Sequence, residues 1–268
     1  MKYSTGCVSN YASNGCPNGD DLPLAVPEGE YFRYWYNRAG HQIVTSWNNG
    51  DVWGADFRDA GGTDLAPDGG SDIPDIYFFT GHGSCQNPPG ANDPDYIITC
   101  GNFGTPNDTI IGREAIWGSL NGGNLKFAFI DASCPMDLVS LRDSWFPAFQ
   151  GLHIATAHSG TADADTLDSA DRGGQFAVLT AGGSIDAPFD LTLTIPQFSV
   201  GDAWMGAGAT DIQIGCCAVA LAAGEDRDDA IDRVNNEKIT DGRSDPFPNW
   251  FAWRWVCVTA ELEGGGIF

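Results

Sequence analysis

The 268 residues suffice for one large α/β domain with a sizeable core, and nothing in them forces a division. Thirteen basic against thirty-six acidic residues give a formal net charge of -23, which argues against nucleic acid and anionic membrane surfaces as partners, since both need positive charge. No apolar run approaches the roughly 18 residues of a membrane helix, and Met1–Cys7 lacks a signal peptide's apolar core. The expectation is a soluble chain, cytoplasmic or exported with its signal absent from this chain.

In chain order, residues 1–30 are rich in Asn, Gly, Pro and Asp and read as an irregular N-terminal segment, with Cys7 and Cys16 placed for a disulfide. Glu30 to Tyr36 alternates aromatic and polar residues and reads as a strand, followed by an irregular Trp-rich stretch from His41 to Phe57. Asp56 to Asp75 reads as an acidic loop whose carboxylates are spaced too widely for a calcium loop. Asp75-Ile-Tyr-Phe-Phe-Thr80 and Leu125-Lys-Phe-Ala-Phe-Ile130 are runs of β-branched and aromatic residues, the pattern of buried strands in a parallel sheet. Between them lie a long loop, Cys85 to Thr109, and a helical pattern, Ile110 to Leu120, stopped by Asn121-Gly122-Gly123.

Residues 137–149 read as the next helix, and Gly151 to Ala157 as a third strand. Phe176 to Ala181 and Val200 to Ala207 are helical, with Asp190 to Ile195 a strand or hairpin arm between them. Ile214 to Ala222 is apolar and open to either strand or helix. Residues 223–250 read as a surface insertion with a charged, partly helical portion, and Phe251 to Leu262 as the last strand. The whole, 1–268, is a single domain.

Eight cysteines are scattered without CxxC or Cys/His metal spacing, so neither a metal nor a cofactor is expected. Cys85 and Cys100 bracket a loop that begins three residues after His82; in an exported protein their disulfide would contribute about 3 kcal/mol in the chain-entropy model.

The chemistry lies at the ends of the first two central strands. One runs into Gly81-His82-Gly83-Ser84, the other into Asp131-Ala-Ser-Cys134. Carboxyl ends of strands form the ligand crevice of open α/β sheets, so an imidazole and a thiol placed there on neighbouring strands can meet. A thiol is a strong nucleophile only as thiolate, and an imidazole can take its proton.

Tyr77-Phe-Phe-Thr-Gly-His82-Gly83 and Phe127-Ala-Phe-Ile-Asp-Ala-Ser-Cys134 resemble the motifs of the caspase-like cysteine peptidases, the group of caspases, metacaspases, legumains, gingipains and clostripain. The resemblance implies a three-layer sandwich with a mostly parallel central sheet and helices on both faces, Cys134 as nucleophile and His82 as its assistant. By the same analogy the backbone N–H groups of Gly83 and Cys134 would hold the oxyanion. The chain departs from the pattern of metacaspases and legumains in having Ala132 two positions before the Cys, and Pro135-Met136 after it.

Asp131 reads as a cap for the following helix. Thr156, His158, Asp163 and Asp165, at and past the end of the third strand, read as substrate-pocket residues. No arginine lies near the ends of the first two strands, and the acidic stretch suits a cationic side chain, so a preference for cutting after Arg or Lys is expected. His41 and His153 have no partner at informative spacing, and Cys216-Cys217 reads as a pair of buried thiols. The functional expectation is a cysteine endopeptidase acting on a peptide or protein through a thioacyl intermediate, its oligomeric state open. The rival is a catalytically silent module of the same fold that binds a peptide or protein in the same crevice.

Overall fold

A computed structural model of the protein describes residues 1–11, 21–59, 70–84, 96–99, 108–138, 140–160, 162, 172–187, 191–208, 216–257 and 262–267. Its centre is an eight-stranded sheet built from β1 (Lys2–Cys7), β2 (Gln42–Asn48), β3 (Ile76–Thr80), β7 (Phe127–Asp131), β8 (Ile154–Ser159), β11 (Cys217–Gly224), β12 (Trp250–Cys257) and β13 (Leu262–Ile267). The strand order is β13-β12-β11-β8-β7-β3-β1-β2. β2, β1, β3, β7 and β8 are mutually parallel, and β11, β12 and β13 follow antiparallel. Two small antiparallel units lie outside it: β4 (Gly83–Ser84), β5 (Tyr96–Thr99) and β6 (Asp108–Ile110) form one, and β9 (Gly183–Ala187) with β10 (Leu191–Ile195) the other.

β3 and β7 are buried at every position, as near-continuous apolar runs of a doubly covered parallel sheet should be. One face is covered by α1 (Ala25–Arg38), α4 (Arg172–Ala181), α5 (Val200–Gly208) and α6 (Arg227–Asn236). The other is covered by short turns, including α2 (Gly112–Ala115) and α3 (Leu141–Ser144), and by loops that bring in Val52, Phe57, Trp117, Trp145 and Phe149. The architecture is thus mixed α/β, with a mostly parallel sheet flanked by helices.

Several local expectations are corrected. The N-terminal segment is not irregular throughout, since Lys2–Cys7 is an inner strand between β2 and β3. Its composition hid it: Ser, Thr and Gly are not typical core residues, yet five of its six positions are buried. Glu30 to Tyr36 is helix rather than strand. Ala25, Glu28, Gly29, Phe32 and Tyr36 are its buried positions, a spacing of three and four that the local aromatic alternation masked. Phe32 stacks on Phe78 with ring centroids 4.4 Å apart, and burying such a ring contributes about 2–3 kcal/mol.

β2 occupies part of the stretch read as irregular. The pattern from Ile110 to Leu120 is broken, because Ile116 takes a left-handed conformation (φ 47°) that ends α2 after one turn. The described residues of 137–149 likewise carry only α3 and a 3₁₀ turn over Phe146–Ala148, with Pro147 inside it. Residues 223–250 are not merely surface: α6, capped by the Asp226 carboxylate on the Asp229 N–H (2.8 Å), buries Ala230, Arg233 and Val234. His153 does have partners, far along the chain: its ring nitrogens meet Glu237 (2.5 Å) and Asp245 (2.9 Å), with Arg233 alongside.

Asp72, from the acidic loop, is buried and accepts from the Gly118 and Leu125 N–H groups, both at 3.0 Å. Burial pushes its carboxyl up to about 7 against the pull of those donors. Most of the remainder of that acidic loop lies outside the described residues. Among the described residues, no helix is long and apolar enough to cross a membrane.

Candidate functional site

The ends of β3 and β7 do meet. Gly81 N–H donates to the Asp131 carbonyl at 3.1 Å, and a Cβ built on Gly83 would lie 2.0 Å from the Ser133 carbonyl oxygen. Gly83 is therefore glycine because the backbone bearing Cys134 passes against it. His82 is half-buried; its N–H donates to the Tyr11 hydroxyl at 2.7 Å and its ring lies 4.4 Å from the Tyr11 ring. Tyr11 in turn donates to the Ile98 carbonyl, which ties the His82 turn to β5.

Cys134 is not a free thiol. Its sulfur is disulfide-bonded, so in this state it is no nucleophile. Its backbone N–H donates to the Gly160 carbonyl at 2.9 Å and is committed too, which removes it as an oxyanion donor. The cause is local geometry. Past Asp131 the chain continues to pair with the end of β8, through Cys134 N–H to Gly160 and Met136 N–H to the His158 carbonyl, and Cys134 itself is forced to φ 63°. A residue other than glycine held in that conformation is a strained position.

The other pocket assignments fare differently. Thr156 and His158 are fully buried, on the face covered by α4 and α5, so they are not walls of an open pocket. Asp163 and Asp165 lie outside the described residues, as do Cys16, Cys85 and Cys100. Cys7 is a free thiol, so it has no disulfide with Cys16. An arginine does reach the end of the second central strand: Arg172 Nε and Nη2 donate to the two oxygens of Asp131. Asp131 is consequently an ion-pair partner and not a helix cap.

Asp131 is the middle of a buried row that the register creates. Cys7 pairs with Thr80 and Thr80 with Asp131 across β1, β3 and β7, while His158 near the end of β8 pairs with Ala218 of β11. Strand alternation points Thr80, Asp131 and His158 to the helix-covered face, beside Phe78 and Phe129. β11 runs the opposite way, so its start, with Cys216 just before it, arrives at the same edge. Cys216 Sγ sits 3.5 Å from His158 Nδ1, and His158 Nε2 lies 3.2 Å from Asp131 Oδ1, out of line for a hydrogen bond and therefore held by charge. From α1, Glu28 accepts from Thr80 Oγ1 (2.6 Å) and from the Gly173 N–H (3.0 Å).

The charges follow from those contacts. Burial raises the Glu28 carboxyl well above the carboxylate range, and the neighbouring Asp131 charge raises it further. Burial works against Asp131 as an anion, but Arg172, His158 and Glu28 together hold its carboxyl well below its usual range. Burial also opposes a charged His158, yet Cys216 on one nitrogen and Asp131 on the other push it up to about 9. Cys7, with no imidazole beside it, is pushed by burial to about 12.

The arrangement Cys216–His158–Asp131 is thus a thiol, a base within reach of it and an acid on the base's far side, which is the geometry of nucleophilic activation. Asp131 and His158 were readable as strand-end residues, whereas Cys216 read only as one of a pair of buried thiols. What was not readable was that β11 is antiparallel, which alone carries Cys216 to this edge.

No curated protein and no solved structure matches the chain. Residues 9–255, nearly the whole chain, match the family described as Domain of unknown function (DUF6345), and the protein belongs to that family.

Proposed function

We propose that the protein is a caspase-like cysteine peptidase, a three-layer sandwich of that kind, which is latent while Cys134 is disulfide-bonded. The observation that carries the reading is the close approach of Gly83 to the Ser133 carbonyl, which sets the His82 turn against the Cys134 turn at the carboxyl edge of the sheet. Reduction of the disulfide by a dithiol would free the Cys134 sulfur. His82 would then take its proton, the thiolate would attack the peptide carbonyl, the C–N bond would break as the departing amine takes that proton from His82, and water would hydrolyse the thioester to the acid and return the thiol. The net charge of -23 favours cationic peptides, hence cleavage after Arg or Lys. Disulfides persist in oxidising compartments, and the Cys217–Cys257 bond with that of Cys134 supports an exported location.

The second reading, a silent peptide- or protein-binding module, is favoured by a specific observation: the Cys134 N–H is already bonded to Gly160, which leaves the oxyanion one donor short. One experiment separates them. The full chain is assayed on fluorogenic Arg- and Lys-peptides with and without dithiol, and labelled with a peptidyl acyloxymethyl ketone. Peptidase function predicts turnover and Cys134 labelling only after reduction, both lost in Cys134→Ala, with turnover lost in His82→Ala. A reduced chain with a free Cys134 that neither turns over nor labels leaves the silent module.

A further inference from the structure

The Cys134 reading leaves Cys216, His158 and Asp131 unused. We propose that Cys216 is a second, independent thiol centre, a nucleophile for hydroperoxides, with His158 as its proton partner and Asp131 as the fixed counter-ion of the imidazole.

The geometry supports this at each atom. Cys216 is a free cysteine, and its sulfur is 3.5 Å from an imidazole nitrogen. The other nitrogen faces Asp131 at 3.2 Å, and Asp131 is itself clamped by both donor groups of Arg172. The groups facing His158 are therefore Cys216 and Asp131, with the Trp204 ring of α5 packed 5.1 Å away and the C-terminal Gly208 of the same helix near its Cε1. Arg172 and Asp131 form an enclosed ion pair, and the group at the other ring nitrogen of His158 is the Cys216 sulfur. In the proposed step the Cys216 proton passes to the His158 ring as the sulfur attacks.

Size selects the substrate. Cys216, His158 and Asp131 are each no more than 3% exposed, so a peptide carbonyl cannot reach the sulfur, whereas a peroxide is scarcely larger than water. The reaction balances without another participant. Sulfur attacks one peroxide oxygen, the S–O bond forms as the O–O bond breaks, and sulfur loses the two electrons that the peroxide gains. The leaving hydroxide takes the proton from His158 and departs as water. The products are the Cys216 sulfenic acid and neutral imidazole, the first rung of cysteine oxidation.

Cys7 provides the control within the same molecule. It is the other free thiol among the described residues, it is equally buried, and it stands at the same sheet edge on β1, but no imidazole faces it. The test treats the native, unreduced chain with hydrogen peroxide, traps sulfenic acid with a dimedone reagent, and reads each cysteine by peptide mass. Cys216 is expected to react at least about tenfold faster than Cys7, and His158→Gln to slow Cys216 by about 10²-fold, the scale of a positioned proton partner. Equal rates at the two thiols, or a native Cys216 that is not trapped, overturn the proposal. So does a folded His158→Gln chain whose Cys216 reacts at the original rate. Should that variant fail to fold, the comparison of Cys216 with Cys7 in the native chain decides alone. The outcome is independent of the peptidase reading, which is tested on reduced protein and at Cys134.

Discussion

Of the cysteines at one sheet edge, Cys134 stands just after β7 and Cys216 just before β11, and they differ in what the fold has done with each. At Cys134 both the sulfur and the backbone N–H are committed, to a disulfide and to the Gly160 carbonyl, while the neighbouring His82 is only half-buried. At Cys216 the sulfur is uncommitted and faces His158, but the whole group is enclosed. Both sulfurs are buried; one is bonded, and the other is free and beside an imidazole. Motif spacing identifies the first kind of site, since it marks strand ends. Only packing reveals the second, since a base is useful to a thiol only when their atoms are in reach.

The comparison can be broken first at Arg172. Its ion pair with Asp131 is almost fully enclosed, so Arg172→Met should leave an uncompensated buried carboxylate and cost about 3–5 kcal/mol in chemical denaturation. A loss below about 1 kcal/mol would mean that Asp131 is not the charged centre on which the Cys216 group depends. Next in size is the cross-strand disulfide Cys217–Cys257, which closes a forty-residue separation beside Cys216. Replacing both cysteines with alanine should lower stability by about 4 kcal/mol in the chain-entropy model. Cys216 should remain trappable by peroxide in that variant, which separates the disulfide's structural part from the reactivity of its neighbour.

A third measurement sharpens the electrostatics. His158 is raised from the ordinary imidazole value to about 9, so the folded state holds the proton more tightly than the unfolded chain. The stability this contributes is fully present below about pH 6.5 and is lost as pH rises through about 9. Unfolding free energies measured across that window should fall in the native chain, and His158→Gln should flatten the fall. A fourth measurement uses Asp72, before β3 and so at the opposite end of the sheet from Cys134 and Cys216. Its carboxyl is raised to about 7, so its contribution is present below about pH 4 and is lost as pH rises through 7. Asp72→Asn should remove that slope and leave the labelling of Cys134 and Cys216 unchanged; a change in either would show that the two regions are coupled.

The sequence by itself determined the centre of the sheet and the meeting of its first two strand ends. β3 and β7 are legible because buried parallel strands must be apolar on both faces, and His82 and Cys134 because residues at strand ends lie where ligands gather. It also determined α4, α5 and β10, whose apolar spacing or turn residues are local signals. Tertiary structure decided the rest. β1 is a strand because its neighbours supply partners on both sides, not because Tyr-Ser-Thr-Gly-Cys is strongly apolar. α1 is a helix because Phe32 and Tyr36 bury together against the sheet and α4, a match of two elements that no window on one of them contains. The state of each cysteine was the least legible feature. Whether a thiol is bonded, buried or beside an imidazole depends on residues dozens of positions away, and only the direction of β11 brings Cys216 to His158.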